Sequence, residues 1–152
     1  MRPTEPIVVD PGHWRHRVQT LVSKGYGWLD FLTAVDRRTE IDVIARLVDP
    51  VNVAGVLLVT TVPSDCAVLD SVAAVLPGAN WYEREAAEMF GIDFLGHPDP
   101  RPLLTRAGDG RPLLRKSTPL PARVDTAWPG AEAETSRRRT QPPGVLDTWE
   151  QR

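Results

Sequence analysis

The stretch WLDFLTAVDRRTEIDVIARLV, residues 28–48, decides the fold. Its second half alternates. Ile41, Val43, Ala45 and Leu47 fall on one side of an extended chain, and Asp42, Ile44, Arg46 and Val48 on the other. A period of two marks a half-buried strand. The first half, Trp28 to Val35, is rich in strand formers but only partly alternates. Arg37-Arg38-Thr39 between the halves is a polar turn, so the two are predicted to pair as a hairpin. Val56 to Val62 follows as a short, continuous apolar run that suits an inner strand.

Helices are predicted before and after these strands, covering one face of the sheet. Asp10 can cap and Pro11 suits a first helical position, with Trp14, Val18, Leu21 and Val22 at helical spacing and Gly25 as the stop. Ser64 can cap a second helix from about Asp65 to Leu76, ended by Pro77-Gly78. Asn80 can cap a third through Phe90, with Glu83 three residues on as in a capping box, and Gly91 as a left-handed terminator. The expected fold is α+β. A small mixed, mostly antiparallel sheet of three to four strands carries two to three helices and is followed by an extended Pro-rich C-terminal arm.

Proline distribution sets the expected organisation. Of 15 prolines in 152 residues, six lie at or before Pro77 and nine between Pro98 and Pro143. Proline locks φ and removes a donor, so the crowded region is neither helix nor inner strand. This suggests a tail over 1–9, a compact domain over 10–97, a docking arm over 98–130 and a disordered tail over 131–152. Charge divides similarly. Residues 1–100 carry 8 Lys/Arg against 14 Asp/Glu, and residues 101–152 carry 10 against 6. An acidic body with a basic arm suggests docking to a partner, or simply a solvated tail. Net charge of −2, with no aromatics interleaved among the basic residues, gives nucleic acid no support. No apolar run approaches membrane-helix length, no secretory signal is evident, and a single Cys66 excludes a disulfide framework or Cys-rich cluster. A cytosolic chain is the expectation.

The densest chemistry is ANWYEREAAEMFGIDFLGHPDPRP, residues 79–102. Arg84 and Glu88 are four apart and can pair across one helical turn. Tyr82, Ala86, Met89 and Phe90 form the expected buried stripe. Glu85 and Glu88 with His97 could hold a metal or serve a free-standing enzyme. However, helix-borne carboxylate sites usually pair a glutamate with a histidine three residues on, and usually in duplicate. The residues alone leave open an ionic docking surface and an ion-paired helix face with no partner.

The same segment resembles the signature of the respiratory complex I 30-kDa subunit family, the C subunit of bacterial NADH:quinone oxidoreductase. The matching positions are Ala79, Asn80, Trp81, Tyr82, Glu83, Arg84, Glu85, Glu88, Met89, Phe90, Gly91, Ile92, Phe94, Gly96, His97, Pro98, Asp99 and Arg101. The pattern departs where Pro100-Arg101-Pro102 stands in place of Leu-Arg-Arg, and where Ser117-Thr118 replaces an acid–aromatic pair. The resemblance implies a structural subunit without catalytic, cofactor or metal residues of its own. NAD, FMN, iron–sulfur clusters and quinone would belong to partner subunits. It implies packing against the 49-kDa-like D subunit, which resembles a hydrogenase large subunit, and near the B subunit. It places the chain peripherally on the cytoplasmic face of the bacterial membrane, touching the membrane only through the complex. Trp81, Tyr82, Glu83, Arg84, Glu85, Glu88, Phe90, Gly91, Gly96, His97, Pro98, Asp99 and Arg101 become the expected interface or arm-fixing residues. Arg115 and Lys116 become expected partner contacts. The equivalent subunit of a membrane-bound hydrogenase or formate-hydrogen-lyase complex is the alternative.

Overall fold

The computed structural model of the chain describes residues 5–105 and 110–118. Their elements run β1 (Ile7–Val8), a 3-10 turn (Pro11–His13), α1 (Trp14–Ser23), β2 (Trp28–Asp36), β3 (Glu40–Asp49), β4 (Ala54–Pro63), β5 (Val68–Asp70), α2 (Ala79–Phe90) and β6 (Asp93–Leu95). The fold is α+β, with a mostly antiparallel four-stranded sheet ordered β1-β4-β3-β2. Residues 119–152, which include the end of the expected arm and the expected disordered tail, lie outside the described residues.

The hairpin forms as its pattern requires. β3 pairs antiparallel with β4 in unbroken register from Glu40↔Pro63 to Asp49↔Ala54. β2 pairs antiparallel with β3, with a register shift between Leu29 and Phe31. An extra residue at a bulge flips the side chains beyond it, which is why Trp28 to Val35 alternates only in part. Ile7 and Val8, inside the stretch expected to be a tail, pair parallel with Leu58 and Val59. A two-residue strand carries no periodicity for a sequence to reveal.

The inward face of the sheet carries Leu32, Ala34, Ile41, Val43, Ala45, Leu47, Leu58 and Val62, all buried. Onto it α1 brings Trp14, Val18 and Leu21, and α2 brings Ala79 and Ala86. Each full-sized aliphatic buried here supplies roughly 1.5–3 kcal/mol of transfer free energy. The entry to α1 behaves as expected, with Gly12 donating its N–H to Asp10 Oδ1 at 2.9 Å.

Residues 65–76 are not the expected helix. Val68–Asp70 is a strand, paired parallel with β6, and residues 73–75 turn. The apolar residues there fit both periods: Ala67 and Leu69 are buried and Val68 is exposed, as in a strand. The tertiary hydrogen bonds decide the outcome. Asp93 donates its N–H to Ala67 O at 2.8 Å, and Ser71 donates to Leu95 O at 2.9 Å. The β-branched Val68, Val72 and Val75 offer a helix little to compete with them.

The expected capping of α2 is also corrected. Its N-cap is Gly78, with no side-chain cap, so Asn80 lies inside the first turn. Glu83 turns into the core instead of reaching back. The C-terminus is as expected, with Gly91 left-handed at φ +66° and its N–H on Ala87 O. A Cβ at Gly91 would stand 2.8 Å from Pro112 Cγ. Gly91→Ala is therefore expected to cost about 1–2 kcal/mol in backbone strain alone. It should also speed amide exchange in residues 110–118, and thermal unfolding with exchange mass spectrometry checks both.

Candidate functional site

Helix α2 offers a row of charged side chains, of which Glu83, Arg84 and Glu88 are each spent on a particular neighbour. Glu83 occupies a position that the Ala79, Ala86 and Met89 stripe makes inward, and it is fully buried. It accepts from Ser71 Oγ at 2.6 Å and from the Val72 N–H at 2.7 Å, with His97 Nε2 at 3.7 Å. Burial pushes its carboxyl pKa up, against the opposing pull of Ser71, Val72, His97 and Arg15. Arg15 completes this end from α1, donating to Ser71 O at 2.7 Å and Leu95 O at 3.0 Å.

His97 is nearly enclosed. Its Nδ1 accepts the Asp99 N–H at 3.0 Å and its Nε2 faces Asn80 O at 3.3 Å. These partners assign the tautomer: Nε2 carries the proton and Nδ1 is the acceptor. Gly96 turns left-handed at φ +74° just before it, and a Cβ there would meet Arg15 Nη2 at 3.1 Å. Pro98 follows, exposed.

One turn on, Arg84 and Glu88 do not pair with each other as their spacing suggested. Arg84 donates to the carbonyls of Arg101 at 2.8 Å and Pro102 at 3.0 Å, and lies 3.4 Å from Asp99. Glu88 accepts the successive backbone N–H groups of Leu103, Leu104 and Thr105, plus the Thr105 hydroxyl. Burial pushes the Glu88 carboxyl pKa up, but these donors outweigh it and hold it below the usual range. Asp99 takes Arg101 in a fork at 2.6 and 2.8 Å, and that guanidinium, more than any other group, holds its carboxyl well below the usual range.

The far end of the segment is pinned twice. Arg115 donates to Phe90 O at 2.6 Å and to Ser64 O, and Leu114 N–H reaches Met89 O at 2.9 Å. The Lys116 N–H donates to buried Asp36 at 2.6 Å, as the Arg38 N–H does. Those two N–H groups, Lys116 foremost, lower the Asp36 pKa against its burial. Between α2 and this segment lies a cleft of about 410 Å³, lined by Arg84, Glu88, Asp93, His97 and Arg111 among others. Residues 98–105 and 110–118 thus run along α2 of their own chain.

Two expected residues stand apart: Trp81 is 65% exposed and Glu85 is exposed. Tyr82 is half-buried and donates to Asp30 O at 3.1 Å. The carboxylate beside His97 is Glu83, not Glu85 or Glu88, so the suggested trio does not converge. Among the described residues no group of three or more His, Cys, Asp or Glu is placed to hold a metal. Sequence reasoning missed Arg15, Asp36 and Ser71. For Asp36 a signal existed, because alternation from Leu32 and Ala34 puts it on the inward face.

Comparison with known proteins now bears on this arrangement. The family model described as "Respiratory-chain NADH dehydrogenase, 30 Kd subunit" matches residues 7–124. The C subunit of NADH-quinone oxidoreductase from Parvibaculum lavamentivorans is 38% identical over 106 residues, 68% of this chain and 52% of that protein. The chain thus spans about half the length of that relative. The C/D subunit of NADH-quinone oxidoreductase from Methylococcus capsulatus is 39% identical over 112 residues, 66% of this chain and 19% of that protein. Among solved structures, a trypsin-resistant fragment of Nqo5 superposes with a TM-score of 0.59 at 24% identity, covering 62% of this chain and 80% of that one. That likeness supports the fold.

Proposed function

The chain belongs to the respiratory-chain NADH dehydrogenase 30 kDa subunit family, and from that premise we propose that it is a non-catalytic scaffold in the peripheral arm of a proton-translocating NADH:quinone oxidoreductase. One observation carries the reading. Glu83, Arg84, Glu88, His97 and Asp99 are all committed to partners within the chain, to backbone groups or, for Asp99, to the Arg101 guanidinium. A general base or nucleophile needs a side chain free to meet a substrate. These side chains instead hold a backbone segment in shape. On this reading NAD, FMN, iron–sulfur clusters and quinone sit in partner subunits.

The neighbour proposed is the hydrogenase-large-subunit-like D subunit, with the B subunit close by. The relative named as a C/D subunit, of which this chain matches only 19%, supports the D subunit as the neighbour. No helix among the described residues is long and apolar enough to cross a membrane. The proposed place is peripheral, on the cytoplasmic face. Affinity purification of the full chain from its native host tests this. The expected result is stoichiometric recovery of the D and B subunits, with NADH:quinone activity in the complex and none in the isolated chain. Recovery of the chain alone would overturn the proposal.

A further inference from the structure

His97 stands where β6 gives way to the segment along α2, and its side chain is only 4% exposed. Its two ring nitrogens have opposite tasks. Nδ1 accepts the Asp99 N–H at 3.0 Å, and Nε2 donates toward Asn80 O at 3.3 Å. A neutral imidazole supplies one acceptor and one donor, whereas an imidazolium supplies two donors. A second proton, on Nδ1, would therefore set donor against donor at Asp99.

The charged groups around the ring do not offer that proton an easy place. Asp99 is the nearest acid in the chain, but its carboxylate is taken by the Arg101 fork, with Arg84 of α2 at 3.4 Å. Glu83 of α2 lies 3.7 Å from Nε2 and favours a cation, yet it already serves the Ser71 hydroxyl and the Val72 N–H. Arg15 of α1 opposes a cation. It donates to Leu95 O, and its Nη2 stands 3.1 Å from where Gly96 would carry a Cβ. Asp93 and Arg111 line the cleft that the ring also lines.

We propose that His97 is a pH-sensitive clasp, whose neutral ring fastens Asp99 beside α2 and whose protonation under mild acid releases residues 98–102. A free imidazole takes its second proton near a pH of about 6.5. The closed clasp has no place for it, so opening binds a proton. The clasp is complete above that value and is lost as pH falls below it, by up to about tenfold in the closed-to-open ratio for each pH unit. Glu88 and Asp36, held below their ordinary values of 4.5 and 3.8, keep the rest of the segment in place over this range. Release draws the carbonyls of Arg101 and Pro102 away from Arg84. The geometry thus ties the availability of the Arg84 guanidinium to pH, whichever partners the chain has.

Hydrogen exchange of the full chain between pH 7 and pH 5, corrected for intrinsic rates, tests this. The Asp99 amide of the wild type is expected to lose protection about tenfold or more across that range, while β3 amides keep theirs. His97→Asn puts an amide oxygen near the place of Nδ1 and does not titrate, so its Asp99 protection should stay level. Equal pH profiles in the two proteins would overturn the proposal. A second measurement needs no variant. Nitrogen NMR of the labelled imidazole should show the second proton arriving only as Asp99 protection is lost. A doubly protonated His97 with the Asp99 N–H still protected would overturn the proposal.

Discussion

Glu83→Ala is expected to cost the chain about 3–5 kcal/mol of stability, enough to unfold much of it at 37 °C. The carboxylate is fully buried and satisfies the Ser71 hydroxyl and the Val72 N–H. Truncation leaves both without a partner, leaves His97 Nε2 with Asn80 O alone, and opens a cavity in the core. Each orphaned buried group costs roughly 1–3 kcal/mol. The loss should be read by urea unfolding at neutral pH. A change under about 1 kcal/mol, less than one orphaned group should cost, would show that the turn at 71–73 stands without Glu83.

Glu83→Gln separates shape from charge. Burial raises the Glu83 carboxyl above its ordinary value of 4.5. A raised value in the folded state means that folding favours the protonated form. The stability this gives is complete below the ordinary value and is lost as pH rises through the folded-state value. The glutamine variant lacks that dependence. The stability difference between wild type and Glu83→Gln should therefore favour wild type most at low pH and shrink as pH rises. A pH-independent difference would mean that the carboxyl does not titrate in the folded chain.

Glu83 also shows why some of the site was hidden in the sequence. Asn80 and Glu83 fit a capping box locally, and only the packing of 71–73 against α2 assigns the carboxylate elsewhere. Hydrogen bonds between residues 11 and 12 apart in the chain leave no periodic trace. The same holds for residues 65–76, where apolar spacing satisfied helix and strand alike until β6 supplied ladder partners. By contrast, the β3 alternation was legible because one face is buried throughout, and a one-residue slip would invert it. The 79–102 signature was legible as a family resemblance, but not as a set of roles. Its charged members act on backbone atoms, and backbone atoms are the same in every sequence.

Glu88→Gln is expected to release the start of the segment that α2 holds without unfolding the body. Glu88 accepts from three consecutive N–H groups and one hydroxyl, an arrangement that only an acceptor-only group can fill. Glutamine turns one oxygen into a donor that faces donors. Charge-assisted bonds of this kind contribute roughly 1.5–3 kcal/mol, so exchange protection at Leu103, Leu104 and Thr105 should fall by about 10- to 100-fold. Amides of β3 and β4 should keep theirs, because their ladder does not involve the segment. The pH dependence has the opposite sign to that of Glu83. Glu88 and Asp36 are held below their ordinary values of 4.5 and 3.8. Their stabilisation is present above those values and is lost as pH falls through the folded-state values. Acidification should therefore open residues 101–105 and the Lys116 contact while Glu83, gaining its proton, steadies the core. Exchange measured against falling pH, corrected for intrinsic rates, should show the segment opening first. Simultaneous loss of protection in the segment and the sheet would mean that the two are one cooperative unit, and that α2 does not act as a separate latch.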